Sequence, residues 1–374
     1  MPKHFSDLAT PGVRALKPYQ PGKPIAELER EYGITDIVKL ASNENPLGPS
    51  PRAVAAMRDA LDDVALYPDA NGFDLKARLA RRHGVDPACI TLGNGSNDVL
   101  VLLAEAFLEP GLSAVFSQYA FAVYPIATQA AGAESRMAPA RPADSAGGLG
   151  HDLDAMAACI DASTRLVFVA NPNNPTGTWI ASAALEAFVG SVPDHALVVI
   201  DEAYAEYMDD PDYPDASAWL ETYPNVVVTR TFSKAFGLAG LRVGYSVSHP
   251  EVADLLNRVR QPFNVGTLGQ LAALAALEDG EHLARSVRMN AEQRERLAVA
   301  CADRGLSVIP SAGNFLLVDL GRPAAPVFEA LLRAGVIVRP VANYGLPNHL
   351  RMSVGTPPET GRLIAALERA LAEP

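Results

Sequence analysis

Three apolar runs in the middle of the chain limit its fold more than any other feature. Leu166–Ala170, Ala196–Ile200 and Val226–Thr229 are rich in β-branched residues, and each stops abruptly at a polar cluster. The first enters NPNNPTGT at 171–178, the second Asp201-Glu202-Ala203-Tyr204, and the third TFSK at 231–234. Successive runs lie about 30 residues apart, the length of one strand–helix–strand unit. Strands that lack polar alternation are those buried on both faces, as in a parallel sheet covered by helices. The spacing therefore predicts an α/β fold with a mostly parallel central sheet. Open sheets of this kind bind ligands outside the carboxyl ends of their strands, which is where Asn174, Asp201 and Lys234 fall. An amide, a carboxylate and an amine in succession along one sheet edge point to a single site.

The lysine carries the most specific chemistry. An amine with a lowered pKa takes an aldehyde as a Schiff base, and Lys234 stands just past a strand end beside Thr231 and Ser233. Arg242 follows eight positions later; together these three residues offer anchors for an anion close to the amine. Upstream, the short strand Ile90–Leu92 opens into GNGSND at 93–98 and an apolar helical run. Free N–H groups and the positive dipole end at such a helix start bind phosphate, although an ordinary capped helix has the same pattern. Asp98 either caps that helix or contacts the ligand. In QYAFAVY at 118–124, Tyr119, Phe121 and Tyr124 are candidates for a ring stacked on a flat cofactor or for core packing. Pyridoxal phosphate needs all of these groups at once. Its aldehyde takes the lysine, its ring nitrogen needs an Asp, and its phenolic oxygen accepts from an amide such as Asn174. A nearby carboxylate raises such a basic pKa by roughly 1–3 units.

Several other classes are excluded. The net charge is −12 and no basic run is present, which argues against a nucleic-acid partner. No apolar run approaches the roughly 20 residues that span a bilayer, and the N-terminus lacks the apolar core of a signal peptide. Cys89, Cys159 and Cys301 are scattered, as expected in a reducing cytoplasm. The seven histidines are too dispersed for a metal site. GLAGLRVG at 237–244 lacks the dinucleotide-binding spacing and follows no strand directly. From 266 the pattern turns to Ala/Leu/Glu/Arg-rich helix as far as 304. Short β signals follow at Asn314–Leu320 and Val336–Arg339, then an amphipathic helix over 360–372. The expected organisation is an extended, proline-rich arm over 1–30, a large ligand-binding domain over 31–265, and a smaller α/β domain over 266–374. The smaller domain carries Asn314, Arg339 and Arg351.

Taken together, the motifs PYQPG at 18–22, SNENPLGP at 42–49, YPD at 67–69, GNGSND, NPNNPTG at 171–177, DEAY at 201–204, TFSKAFGLAGLRVGY at 231–245 and LRMSVGT at 350–356 carry a resemblance. The chain resembles the fold-type I pyridoxal-phosphate-dependent aminotransferases, in particular the histidinol-phosphate aminotransferases. The resemblance implies that Lys234 holds the cofactor and shuttles the proton, that Asp201 pairs with the ring nitrogen, and that Asn174 and Tyr204 bond the phenolic oxygen. It assigns the cofactor phosphate to Thr231, Ser233, Arg242 and the amides of Ser96 and Asn97, and the stacking ring to Phe121, with Tyr119 as the alternative. Arg351 matches the arginine that grips the substrate anion, Arg339 a helper, and Tyr19 a substrate-phosphate contact. Tyr67 matches a tyrosine that reaches the neighbouring subunit's cofactor, which implies a homodimer with shared sites. The implied reaction is reversible amino transfer between L-histidinol phosphate and 2-oxoglutarate. An aromatic-amino-acid aminotransferase shares every cofactor motif, and a threonine-phosphate decarboxylase-like lyase shares the fold.

Overall fold

The computed structural model describes residues 4–19 and 22–372. Gln20 and Pro21 of the PYQPG motif therefore lie outside the described residues. The three apolar runs become the strands Thr164–Ala170, Leu197–Asp201 and Val226–Thr231, adjacent and parallel in the middle of a seven-stranded sheet. On one side the sheet continues through Ser113–Ser117 and Glu134–Ala138, also parallel. On the other side lies Gly244–Ser248, antiparallel to both its neighbours, Val226–Thr231 and Ile90–Gly93. The expected α/β fold with a mostly parallel sheet is what forms.

The absence of polar alternation has the expected cause. Val167 and Val169 enter one apolar core, while Leu166, Phe168 and Ala170 enter a second core on the opposite face. Helices cover both faces, so all positions in these strands but Arg165, Leu197 and Arg230 are buried. Alternation also separates two acids. Asp201 faces the side of Tyr124, whereas Glu202 points the other way into a buried cluster with Arg230 and Glu206.

The C-terminal part forms a four-stranded antiparallel sheet from Arg339–Pro340, His349–Ser353, Phe315–Asp319 and Ser307–Ile309. The chain is not divided there quite as its composition predicts. The strand Val38–Lys39 pairs with Val336–Ile337, and Leu28 and Ala41 share a small core with Leu332 and Ile337. The helix Thr267–Leu277, in contrast, supplies Ala272, Ala273 and Ala276 to the core of the large sheet. We therefore propose that the small unit comprises about 25–41 plus the chain from Gly280 onward, the boundary following packing rather than composition. The arm expected to be extended is partly helical, with Pro11–Arg14 and Ile25–Tyr32. Gly12 in its first turn accepts from Gln129 Nε2 at 3.0 Å, which ties the arm to the large sheet's helices.

Candidate active site

Beyond the carboxyl ends of the parallel strands is a cavity of about 240 Å³. Ser96, Asn97, Phe121, Asn174, Asp201, Tyr204, Thr231, Ser233, Lys234 and Arg242 all line it. Sequence positions spread over 147 residues thus meet around one space, because parallel strands deliver their ends to the same edge.

The amine and the carboxylate are set apart by their surroundings. Burial, with Arg351 next in effect, lowers Lys234 to about 8. Its Nζ donates to the Ser42 carbonyl at 3.2 Å and lies 5.8 Å from the Tyr204 ring centre. Asp201 is buried at 4% exposure, and burial raises its pKa. Two hydroxyls oppose that shift: Tyr124 Oη donates to Oδ2 at 2.8 Å and Thr229 Oγ1 to Oδ1 at 3.0 Å. A buried carboxylate so held is an anion awaiting a cation.

A cradle for an anion lies at the other end of the cavity. The helix Ser96–Phe107 begins there without a side-chain cap, after Gly95 at φ 86°. Thr231 Oγ1 donates to Ser233 Oγ at 3.0 Å, and Arg242 Nη1 to the same oxygen at 3.1 Å. The packing leaves no room for larger residues. A Cβ on Gly95 would sit 2.4 Å from Arg242 Nη2, and one on Gly244 2.1 Å from the Ser96 nitrogen. Asp98 acts structurally, accepting from the Asn94 nitrogen at 2.7 Å and from Asn264 Nδ2 at 2.9 Å.

Of the three candidate rings, Phe121 lines the cavity. Tyr119 packs with Leu149, Leu317 and Val341 away from it. Tyr124 is fully buried, stacked on Phe168 at 4.6 Å and 6°, so it serves Asp201 rather than a cofactor face.

Arg351 lies just behind the cavity wall. Its Nη1 donates to Asn174 Oδ1 at 2.5 Å and its Nη2 to the Ala41 carbonyl at 2.6 Å, while its buried Nε has no partner among the described residues. With Oδ1 engaged, the Asn174 amide has only its N–H donors to offer the cavity. Tyr204 Oη accepts from Asn43 Nδ2 at 2.9 Å, which leaves its own O–H to donate, and burial pushes it up to about 12. Arg339 stands directly opposite Arg351 across the strand pair. Like charges so placed repel unless an anion comes between them. The Arg339 guanidinium lies 5.8 Å from the ring centre of the half-exposed Tyr19.

Tyr67 is not brought to this cavity. It is 82% exposed and stacks on Phe263 at 4.6 Å. Exposed Leu61, Val64, Leu66 and Phe73 extend the same apolar stretch. Sequence reasoning missed Ser42, Asn43 and Thr229, and read Tyr124 as a stacking ring or core residue rather than as the donor to Asp201. Only the Asn-rich SNENP stretch and the aromatic run before Tyr124 offered any local signal for them.

A buried lysine with a lowered pKa, a buried carboxylate and a glycine-built cradle meet in this cavity, the set of groups expected of an aminotransferase. Residues 35–367 match the family of class I and II aminotransferases, and the chain belongs to that family. It is 60% identical to histidinol-phosphate aminotransferase 2 of Methylococcus capsulatus, covering 98% of this chain and 99% of the relative. The protein of the same description from Pseudomonas fluorescens Pf0-1 is 59% identical, and each chain is covered completely. Among solved structures, the histidinol-phosphate aminotransferase of Sinorhizobium meliloti in complex with pyridoxal-5'-phosphate aligns with a TM-score of 0.88 at 32% identity, covering 97% of both chains.

Proposed function

We propose that the chain catalyses pyridoxal-phosphate-dependent amino transfer between L-histidinol phosphate and 2-oxoglutarate, giving imidazole-acetol phosphate and L-glutamate, reversibly, in histidine biosynthesis. The observation that carries this reading is the joining of the lysine cavity to a paired-arginine anion site through the Arg351–Asn174 hydrogen bond. Full-length identity near 60% to histidinol-phosphate aminotransferases supports the substrate.

The cavity suits the cofactor. The bare glycines let Arg242 and the Ser96 amide close in around one end of the cavity, where a phosphate would lie, and among the described residues no cation is hydrogen-bonded to Asp201. When bound, pyridoxal phosphate supplies an electron sink for the pair left at the substrate Cα and carries the amino group from one substrate to the other. Lys234, lowered to about 8, would hold the cofactor aldehyde and move the proton at the substrate Cα. Asp201 would hold a proton on the ring nitrogen through its negative charge. Asn174 and Tyr204 would offer an N–H and an O–H to the phenolic oxygen. Thr231, Ser233, Arg242 and the Ser96 and Asn97 amides bind the phosphate, while Phe121 supplies the stacked ring. Arg351 would hold the substrate anion, with Arg339 and Tyr19 adding donors for a dianion. Arginine's planar fork accepts carboxylate and phosphate in turn.

We further propose a homodimer in which Tyr67 completes the partner's phosphate site. The exposure of Tyr67 beside Leu66 and Phe73 supports this arrangement, and twofold pairing repeats one such contact twice. A cytoplasmic location agrees with three free cysteines. Among the described residues, no helix is long and apolar enough to cross a membrane.

The test follows the two half-reactions separately by the visible absorbance of the loaded protein. Both L-histidinol phosphate and L-glutamate are expected to react. Arg339 is only partly buried and would add donors for the phosphate dianion, so Arg339→Ala should slow the histidinol-phosphate half more than the glutamate half. Phenylalanine outperforming histidinol phosphate in the unmodified protein would replace this reading with an aromatic-amino-acid aminotransferase.

A further inference from the structure

Two carboxylates line the cavity, Asp201 and Glu44. Asp201 is committed at the floor, with both oxygens held by hydroxyls. Glu44 is exposed at the rim, and its charge is one of those felt by Lys234. Its carboxylate meets Lys39 Nζ at 2.6 Å.

The backbone around Glu44 is fastened on both sides. Asn43, in the left-handed region at φ 55°, donates from Nδ2 to Tyr204 Oη and accepts from Ser353 Oγ at 2.7 Å. Asn45 Nδ2 donates to the Ala235 carbonyl and to Ser286 Oγ, both at 2.9 Å. Asn314 Nδ2 reaches the carbonyls of Asn43 and Glu44 at 2.9 and 3.3 Å. Two buried asparagines and a third across the domain junction thus hold the segment rigid, and the Glu44 side chain remains at the opening. Preorganisation of this kind fixes a group that must meet a ligand at a set distance.

A negative charge here is a poor neighbour for either substrate anion. A phosphate monoester or a second carboxylate is repelled by it, and both are served by the arginines behind Asn174. What Glu44 favours is an N–H donor or a cation. In the reaction proposed above, the substrate amine is taken by the cofactor aldehyde, so the N–H group of the substrate that remains for Glu44 is that of the imidazole ring. Resting on that function, we propose that Glu44 is a specificity-determining substrate contact that accepts a hydrogen bond from the imidazole N–H of histidinol phosphate. Its contribution is selection of imidazole over a phenyl ring of similar size, since a phenyl ring gives the carboxylate no donor beyond the Lys39 ammonium it already meets. Sites built to bond a polar group discriminate strongly against analogues that lack it.

The experiment compares the unmodified holoenzyme with Glu44→Gln and Glu44→Ala on three amino donors: L-histidinol phosphate, L-phenylalaninol phosphate and L-glutamate. Phenylalaninol phosphate keeps the amine and phosphate but replaces the imidazole. Hydrogen bonds to charged groups predict a loss of about 10- to 100-fold in kcat/KM for histidinol phosphate in Glu44→Ala. The other two donors should stay within about twofold. Glu44→Gln, which keeps an acceptor oxygen and the side-chain shape, should fall between the unmodified protein and Glu44→Ala on histidinol phosphate alone. Equal losses on all three donors would assign Glu44 to Lys234 or to the fold and overturn the proposal, as would an unchanged rate on histidinol phosphate. An unmodified holoenzyme inactive on histidinol phosphate would instead overturn the parent function, whatever the variants do.

Discussion

Tyr124→Phe isolates one hydrogen bond. The ring is fully buried and stacked on Phe168, and phenylalanine preserves that stack, so the variant loses only the hydroxyl. That hydroxyl donates to Asp201 Oδ2 at 2.8 Å. A hydrogen bond to a charged group is worth roughly 1.5–3 kcal/mol. Without it, Asp201 becomes a stronger base and, in the role proposed for it, would draw the proton of the cofactor's ring nitrogen toward itself by that amount. At 1.4 kcal/mol per factor of ten, turnover should fall about 10- to 150-fold. The assay is single-turnover reaction with L-glutamate, after visible absorbance has verified that the variant is loaded. Thr229→Val, which removes the 3.0 Å donor to Oδ1, should act in the same direction. A loaded Tyr124→Phe protein turning over within about twofold of the parent would mean that the hydroxyl does not govern Asp201.

The remaining predictions concern protonation and assembly. With Lys234 lowered to about 8, the rate at which cofactor-free protein captures pyridoxal phosphate should rise with pH and level off above about 8; a flat profile from pH 6.5 to 9 would contradict the burial effect. Lys234→Arg should capture none, because a guanidinium stays protonated. Glu202 is raised from the ordinary 4.5 to about 7 by burial, with Arg230 opposing. Because its folded pKa is the higher one, the stability it contributes is complete below about 4.5 and is lost as pH rises through about 7. Glu202→Gln should therefore flatten the dependence of Tm on pH in that window, and an unaltered slope would assign it to other groups. For the shared site, mixing inactive Lys234→Ala with severely impaired Tyr67→Phe subunits should restore part of the activity. Heterodimers have one intact site, so no recovery on verified subunit exchange would remove Tyr67 from the partner's site.

Sequence alone determined the features whose cause is local. The strands ending at Asn174, Asp201 and Lys234 were legible because full burial removes polar alternation, and a strand–helix–strand repeat gives a regular spacing. The helix start at Ser96 was legible because a tight turn there needs glycine. Tertiary structure decided what those residues bind. Tyr124 reaches Asp201 across 77 positions, Arg351 reaches Asn174 across 177, and Asn43 reaches Tyr204 across 161. No local periodicity encodes such pairs, because they depend on which strands become neighbours and in what register. Arg339 and Arg351 read individually as ordinary strand arginines; the antiparallel register makes them opposite neighbours, the arrangement on which the proposed anion site rests. The split between the two units shows the same limit. Composition changes near 266, but Val38–Lys39 joins Val336–Ile337 in one ladder, since strand pairing follows proximity in space and is indifferent to the length of chain between.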